Sequence, residues 1–212
     1  FLKIYMIKLG ITGSISSGKT LVTNTIKRKG IPTFCADQTV KNIYLKDKIF
    51  KKKIYKLQPT LIKKKNIKKD IKKIILKNKK FLKKIERIIH PIVRKKMKEF
   101  IHVNRNKKII ALDIPLLIES KIYKQLDKIL LVKCSTNIRK KRFLSKKKNI
   151  KLFNLMEKKQ FNFLYKKKFA DYIIDNSGSI SKTKRELTDI IKKIKKNAWS
   201  YIRYRDNRTF NY

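Results

Sequence analysis

The stretch Gly13-Ser-Ile-Ser-Ser-Gly-Lys-Thr20 matches the phosphate-binding loop pattern G-x-x-x-x-G-K-[ST] at every fixed position. Residues 6–12 before it are typical of a buried strand. Residues 19–29 after it are typical of a helix whose inner stripe is Leu21, Val22 and Ile26. Glycines let the backbone approach phosphate oxygens closely, and a helix start directs backbone amides toward an anion. The stretch therefore predicts a nucleotide-binding α/β fold. The alternative interpretation is a glycine-rich turn before an ordinary helix, which would not require every fixed residue of the pattern.

Each residue of this loop has an expected task. Backbone amides of residues 16–20 are expected to form a nest around a phosphate. The Lys19 ammonium is expected to reach the β- and γ-phosphates, and the Thr20 hydroxyl to ligate Mg²⁺. The predicted ATP-binding residues of this region are Gly13, Ser16, Ser17, Gly18, Lys19, Thr20 and Leu21.

Two carboxylates follow predicted strands directly. Asp37 comes after the strand Pro32–Cys35, and the ends of parallel strands line the ligand crevice. There it could orient an attacking hydroxyl or accept its proton, or it could instead cap the helix that starts near residue 38. Asp113 ends the third strand, where it could hold Mg²⁺ through water or cap the turn before Pro115.

Other chemistry-bearing side chains point to structural roles. His90 lies in a helical stretch and by itself indicates packing or capping. Cys35 and Cys134 lack C-x-x-C spacing and are predicted to be small buried hydrophobes. Glu119 and Asp171 are predicted to be structural.

Strands and helices alternate along the chain, which predicts a parallel sheet covered on both faces. Residues 37–103 show a Lys-rich helical pattern. Further helices are predicted at 137–144, from 150 to about 169 and at 181–196, and further strands at 109–114, 128–134 and 172–175. The segment from Asn197 has no clear period and is predicted to be a loose tail. The run Lys166–Lys168 is predicted to be solvated, and the run Lys146–Lys148 to belong to a lid that closes over phosphates.

The charge balance is strongly basic, with 60 Lys and Arg against 14 Asp and Glu and a net charge of +46. This excess raises nucleic acid as a partner. The lysines are spread along the whole chain, and arginine, the better phosphate ligand, is scarce. Both facts favour compositional drift, so no specific nucleic-acid partner is expected.

Several classes of protein are excluded by composition. A hydrophobic content of 42% is too high for a disordered basic tail. No apolar run approaches the roughly 18 residues of a membrane span. Two cysteines and two histidines predict neither a disulfide framework nor a zinc site. The chain is expected to be a cytoplasmic protein without a membrane partner, and a monomer or small homo-oligomer.

Beyond the loop, the chain resembles the dephospho-coenzyme A kinases over about residues 7–195. The Pro-Leu-Leu-x-Glu and Ala-Asp-x-x-Ile-x-Asn patterns are more selective than the phosphate loop, which many nucleotide-binding proteins share. The matching positions are residues 10–20, 32–37, 90–92 and 113–119, then Arg142, Gln160, residues 170–176 and Gly178.

The resemblance implies a P-loop NTPase fold, a three-layer α/β/α arrangement with a five-stranded parallel sheet, a helical substrate-binding insertion and a lid. It implies a single kinase domain over residues 1–196, with a basic aromatic tail at 197–212. The implied core comprises about 6–36, 107–144 and 170–196, the CoA-binding insertion about 38–104 and the lid about 145–168.

The resemblance also implies the activity: transfer of the ATP γ-phosphoryl group to the ribose 3′-hydroxyl of dephospho-CoA, with Mg²⁺. Asp37 and Lys19 match catalytic positions. The implied ATP contacts outside the loop are Arg142, Lys146 and Asn176, the last near the adenine. The implied substrate-binding residues are Asp37, Lys41, His90, Pro115, Leu116 and Leu117.

The chain departs from the family pattern at several positions. Ser14 and Ser16 stand where glycine is usual, and Cys35 replaces the first acid of an Asp-Ala-Asp stretch. Lys41 and Lys146 stand where arginine is expected, and lysine cannot form the bidentate fork of a guanidinium. Two alternative functions remain open at this point: another P-loop small-molecule or nucleoside monophosphate kinase, and a basic nucleic-acid-binding protein that retains a P-loop scaffold.

Overall fold

The computed structural model describes residues 6–62, 66–147 and 149–206, with backbone only for residues 72, 76, 77, 79 and 197–206. Lys148 of the predicted lid run, the first five residues and the end of the predicted tail, 207–212, lie outside the described residues. Among the described helices, none is both long and apolar enough to cross a membrane.

Five strands form one sheet in the order β2-β3-β1-β4-β5. They are β1 (Ile7–Gly13), β2 (Thr33–Cys35), β3 (Ile109–Asp113), β4 (Lys128–Lys133) and β5 (Tyr172–Asp175). The pairs β1–β3, β1–β4 and β4–β5 are parallel. Every residue of β3 is buried, as expected for a strand covered on both faces. The predicted five-stranded parallel sheet is confirmed.

The register brings the carboxyl ends of the central strands to one edge of the sheet. Ile11 pairs with Asp113, Gly13 with Val132, and Lys133 with Asp175. In parallel sheets this edge is where ligands bind. The phosphate loop, Asp113 and the turn after β5 therefore belong to one end of the sheet.

The described helices are, in chain order, α1 (Lys19–Arg28), α2 (Ala36–Lys46), α3 (Lys48–Leu57), α4 (Ile67–Lys77), α5 (Lys79–Val103), α6 (Thr136–Leu144), α7 (Ile150–Lys158), α8 (Phe163–Lys167) and α9 (Ile180–Asp206). Several begin at a side-chain cap. Asp47 accepts from the Phe50 amide, Asn149 from Leu152 and Asn162 from Tyr165. Asn and Asp favour this position because their oxygens satisfy an otherwise unpaired helix amide.

The chain divides into two compact units, one up to Phe34 and from Asn104 onward, the other Cys35–Val103. Each has its own hydrophobic core. The first is built on the sheet, with Leu9, Ile11, Val22, Ile26 and Leu187 among its buried members. The second is entirely helical and includes Ile43, Phe50, Ile54, Leu61 and Ile85. The helical unit begins and ends close to the predicted insertion, 38–104.

Two predictions about the C-terminal half are wrong. The single helix expected from 150 to about 169 is two helices, α7 and α8, because the chain leaves α7 after Lys158 and Asn162 starts a new helix. The expected loose tail is helical as far as Asp206, since α9 continues through a stretch without glycine or proline.

Three smaller predictions also change. Cys35 is only partly buried, whereas Cys134 is buried as expected. Asp37 does not cap α2, because Cys35 occupies the cap position and Asp37 lies in the first turn. Lys166 is not solvated but completely buried, because it pairs with Glu119.

Candidate functional site

The phosphate loop joins the end of β1 to the start of α1. It turns tightly, with the Ser17 amide donating to the Ser14 carbonyl at 3.1 Å. Ser16 and Gly18 have positive φ values of 57° and 93°. Gly18 is the residue before α1, so the first amides of the helix follow directly from the loop. Helix starts of this kind attract phosphate through their amides and the helix dipole.

Two glycines of the loop are required by packing within the protein. A Cβ on Gly13 would lie 2.5 Å from the Val132 carbonyl oxygen. A Cβ on Gly18 would overlap the side-chain nitrogen of Asn176. Contacts within the protein therefore exclude larger residues at both positions, whether or not a ligand is bound.

Lys19 folds back over the loop. Its ammonium donates to the Gly13 carbonyl at 2.9 Å and to the Ser14 carbonyl at 3.4 Å. These contacts hold a positive charge above the loop backbone. An ammonium has three donors on a flexible stem, so it can exchange carbonyl partners for phosphate oxygens.

The side chain of Asn176 is hydrogen-bonded to the phosphate loop. Its side-chain nitrogen donates to the Ser17 carbonyl at 2.8 Å, and its side-chain oxygen accepts from the Thr183 hydroxyl at 3.1 Å. The residue is only 1% exposed. Arg142 donates to the Asn176 backbone carbonyl at 3.1 Å. The predicted ATP-binding residues Asn176 and Arg142 are thus joined to the loop, and their contacts with ATP stay predictions.

Asp175 precedes Asn176 in the chain and is the last residue of β5. Burial raises its pKa, but hydrogen bonds from Ser177 and the nearby Lys133 outweigh burial, so that the pKa is lowered overall. The Ser177 amide donates at 2.9 Å, and the Lys133 ammonium is 3.2 Å away. Asp175 therefore stays ionised to a lower pH than an ordinary aspartate, and its hydrogen bond from the Ser177 amide fixes the turn that carries Asn176.

The oxygens predicted to hold Mg²⁺ lie on α1 and β3. Asp113 is 7% exposed and accepts from the Thr23 hydroxyl at 2.9 Å. Thr20 is exposed one turn before Thr23 on the same helix. Among the described residues, no group of three or more His, Cys, Asp or Glu could hold a metal ion. Thr20 and Asp113 are oxygen donors of the kind that Mg²⁺ takes, an ion that usually binds one or two protein oxygens together with phosphate and water.

The stretch after β3 contributes residues with different environments. Leu116 is 43% exposed, whereas Leu117 is buried against Gly10. The Pro115 carbonyl accepts from the Thr12 hydroxyl at 3.4 Å. Of the two leucines predicted to bind substrate, only Leu116 presents a substantial surface to a ligand.

The predicted lid is anchored along most of its length. Phe153 of α7 packs edge-to-face on Phe143 of α6, with ring centroids 5.4 Å apart. Arg139, a buried residue of α6, pairs with Glu157 of α7. Lys146 lies in the exposed turn between these helices. Helices α6 and α7 are therefore joined by an aromatic contact and an ion pair, and the lid stays a prediction.

The sequence predicts no contact for two residues that bind this region together: Gln160, which is only a position of the family match, and Lys166, which is predicted to be solvated. The Gln160 side-chain oxygen accepts from the Ile15 amide of the phosphate loop at 3.1 Å. Lys166 pairs with Glu119 at 2.9 Å. Each contact joins residues far apart in the chain, so neither spacing nor local pattern indicates it.

The remaining predicted residues belong to the helical unit. Asp37 and Lys41 are exposed and one turn apart on α2. His90 is exposed on α5, directly before Pro91 inside that helix. The structure thus brings Lys19, Asn176 and Arg142 together in one unit and carries Asp37, Lys41 and His90 on the other.

A parallel five-stranded sheet with an intact phosphate loop between its central strand and the first helix defines a P-loop NTPase fold. The sequence model of one family, described as dephospho-CoA kinase, matches residues 7–182. The chain belongs to the dephospho-CoA kinase family.

Individual relatives agree with this assignment. A dephospho-CoA kinase from Rickettsia typhi is 33% identical over 89% of the chain and 98% of the relative. One from Bartonella quintana is 35% identical with the same coverage. The solved structure of a dephospho-CoA kinase from Campylobacter jejuni is 26% identical over 91% of the chain and 98% of that structure, with a TM-score of 0.66. The alternative of a nucleic-acid-binding scaffold is not favoured.

Proposed function

We propose that this protein transfers the γ-phosphoryl group of ATP to the ribose 3′-hydroxyl of dephospho-CoA. The observation that carries the proposal is an intact phosphate loop, with Lys19 held over the Gly13 carbonyl at 2.9 Å, in a chain of this family. In the reaction the bond between the γ-phosphorus and its bridging oxygen breaks, and a bond from the 3′-oxygen to phosphorus forms. The hydroxyl proton leaves to a base or to water.

Most of the catalysis falls to positioning and to charge neutralisation, because phosphoryl transfer needs little covalent help from the protein. Loop amides and the α1 dipole bind the phosphates, and Lys19 neutralises the transferring group. Arg142 and Lys146 add positive charge on the side of α6 and its following turn. Asp37 orients the acceptor hydroxyl or takes its proton.

Magnesium belongs to the proposal as a cofactor. Thr20 and Asp113 would hold it, the first through its hydroxyl and the second through water. When bound, the ion offsets negative charge on the β- and γ-phosphates. The Thr23 hydroxyl fixes one Asp113 oxygen at 2.9 Å, which orients the carboxylate at the end of β3.

The test is ADP release with dephospho-CoA as acceptor, measured beside a panel of nucleoside monophosphates. Activity on dephospho-CoA alone is expected, and phosphate transfer only to nucleoside monophosphates would reject the assigned acceptor. Lys19→Met is expected to lower kcat/KM by at least about a hundredfold, in line with loss of a transition-state charge contact. Lys27→Met, at an exposed position of the same helix, is the matched control.

Asp37→Asn tests the second assigned role. Removing the carboxylate charge while keeping the shape is expected to lower kcat by about 10²-fold or more, the usual range for positioned acid–base groups. Asp189→Asn changes an exposed carboxylate on α9 and serves as its control. Unchanged turnover in Asp37→Asn would remove Asp37 from the mechanism without affecting the assigned reaction.

A further inference from the structure

The peptide group between Ser14 and Ile15 is held from both sides. Its N–H donates to the Gln160 side-chain oxygen at 3.1 Å. Its carbonyl accepts from the Ser17 amide at 3.1 Å and from the Lys19 ammonium at 3.4 Å. A trans peptide is planar and directs its N–H and carbonyl in opposite directions. Gln160 therefore fixes, from the far side, the carbonyl against which Lys19 rests.

Gln160 is held in turn by its neighbours in the chain. Its own amide closes the end of α7 by donating to the Glu157 carbonyl at 3.0 Å. The next amide, that of Phe161, donates to Glu119 at 2.9 Å. The same Glu119 oxygen lies 2.9 Å from the ammonium of Lys166.

The Glu119–Lys166 pair is well shielded from water. Lys166 is 0% exposed, and the Glu119 side chain is 13% exposed. A buried ion pair attracts more strongly than one at the surface, because water screens it less. The backbone at residues 160–161 is thus fixed to the stretch after β3, and the Gln160 side chain projects from a rigid base.

The neutral carboxamide of Gln160 suits a position next to a phosphate-binding loop. A carboxamide oxygen accepts the Ile15 hydrogen bond without adding charge, whereas a carboxylate there would repel the phosphates bound by the same loop. A glutamine is therefore the better acceptor beside an anion site.

We infer that Gln160 is a positioning residue for nucleotide binding: it sets the orientation of the Ser14–Ile15 peptide and, through it, the resting place of the Lys19 ammonium. The inference rests on the proposed function for the identity of the nucleotide, and it is independent of the acceptor. Loss of the Gln160 oxygen removes the partner of the Ile15 N–H and leaves the peptide held through its carbonyl, by the Ser17 amide and the Lys19 ammonium.

Three variants of the chain test the inference. Gln160→Met keeps the length of the side chain and removes the acceptor. Gln160→Glu keeps an acceptor and adds a charge. Gln125→Met makes the same change as the first variant at an exposed position and is the control. MgATP binding is measured by calorimetry without dephospho-CoA, beside the thermal midpoint of each protein.

Gln160→Met is expected to raise the Kd for MgATP about tenfold, the usual order for one lost hydrogen bond in a binding site. Its thermal midpoint is expected to stay close to that of Gln125→Met. In turnover, KM for ATP is expected to rise more than kcat falls. Gln160→Glu is expected to weaken binding as well, but with a loss that shrinks at high salt, because its cause is charge repulsion.

Hydrogen exchange of the Ile15 amide gives a second readout, and its measurement on the natural protein requires no variant to fold. This amide is expected to exchange slowly in the ligand-free natural protein and in Gln160→Glu, and faster in Gln160→Met. Fast exchange in the natural protein would overturn the inference, as would a folded Gln160→Met that binds MgATP within twofold of the natural protein. Absence of MgATP binding by the natural protein would instead reject the proposed function.

Discussion

The side-chain nitrogen of Asn176 donates a 2.8 Å hydrogen bond to the backbone carbonyl of Ser17 and so joins the turn after β5 to the phosphate loop. The contact is buried, and the Asn176 oxygen is used by Thr183. The loop is therefore preorganised by the protein, which reduces the ordering that ATP must impose when it binds.

Replacing Asn176 by alanine should destabilise the fold. The Ser17 carbonyl and the Thr183 hydroxyl would each lose a buried partner, so the free energy of unfolding is expected to fall by about 2 kcal/mol. Urea denaturation measures the change. Asn154→Ala, at an exposed position of α7, should be neutral or slightly stabilising because alanine is the better helix former. Equal effects of the two substitutions would contradict the assigned contact.

Three glycine substitutions separate backbone strain from steric overlap. Gly18→Ala is expected to abolish MgATP binding and lower the thermal midpoint most, because φ is 93° and its Cβ would overlap Asn176. Gly30 has a φ of 74°, and no atom of the described residues lies within 4 Å of its added Cβ. Gly30→Ala is therefore expected to lower the free energy of unfolding only by about 1 kcal/mol, the cost of a left-handed backbone at alanine.

Gly178→Ala completes the series, since nothing lies within 4 Å of its added Cβ. It should change stability least. The order of the three thermal midpoints is the measurement, and a Gly18→Ala protein as stable as Gly178→Ala would disprove the close packing of the loop on Asn176.

The buried pair of Lys166 and Glu119 should show strong coupling. Lys166→Met leaves the Glu119 carboxylate without its cation and is expected to lower the free energy of unfolding by about 3 kcal/mol. Glu119→Leu combined with Lys166→Met should recover much of this loss, because no buried charge then lacks a partner. Lys168→Met is the exposed control. Additive effects in the double-mutant cycle would show that the two side chains do not interact.

The low pKa of Asp175 predicts a pH-dependent contribution to stability. Its folded pKa lies below the unfolded value of about 4, so the ionised carboxylate stabilises the fold above that pH. The contribution is lost as pH falls through the folded pKa. Asp175→Asn should therefore lower the thermal midpoint at pH 7, and the difference from the natural protein should shrink below about pH 4. A difference that is the same at pH 3 and pH 7 would exclude the ion pair as its cause.

The sheet and the phosphate loop could be predicted from the sequence because both have local signals. Apolar runs such as Ile109–Asp113 indicate buried strands, and the spacing of Gly13, Gly18 and Lys19 indicates the loop. The ends of the helices are harder to predict than the strands. The break between α7 and α8 depends on Asn162, which caps α8, and α9 extends to Asp206 because no glycine or proline interrupts it.

The contacts that support the loop could not be predicted in this way. Asn176 and Ser17 are 159 positions apart, and Gln160 and Ile15 are 145 positions apart. Lys166 stands within a run of three lysines whose charge indicates solvent, yet it is the one that turns inward because Glu119 lies opposite. Only the three-dimensional fold decides which lysine of such a run is buried.

The two separate hydrophobic cores have a consequence for how the protein melts. A substitution such as Phe50→Ala, confined to the helical core, should weaken that unit first and leave the sheet unit largely intact. Because MgATP would bind the sheet unit, nucleotide should raise the melting temperature of that unit more than that of the other. Calorimetry would then resolve two transitions with different responses to one ligand. On warming, the helical unit would then unfold while the sheet unit still holds ATP.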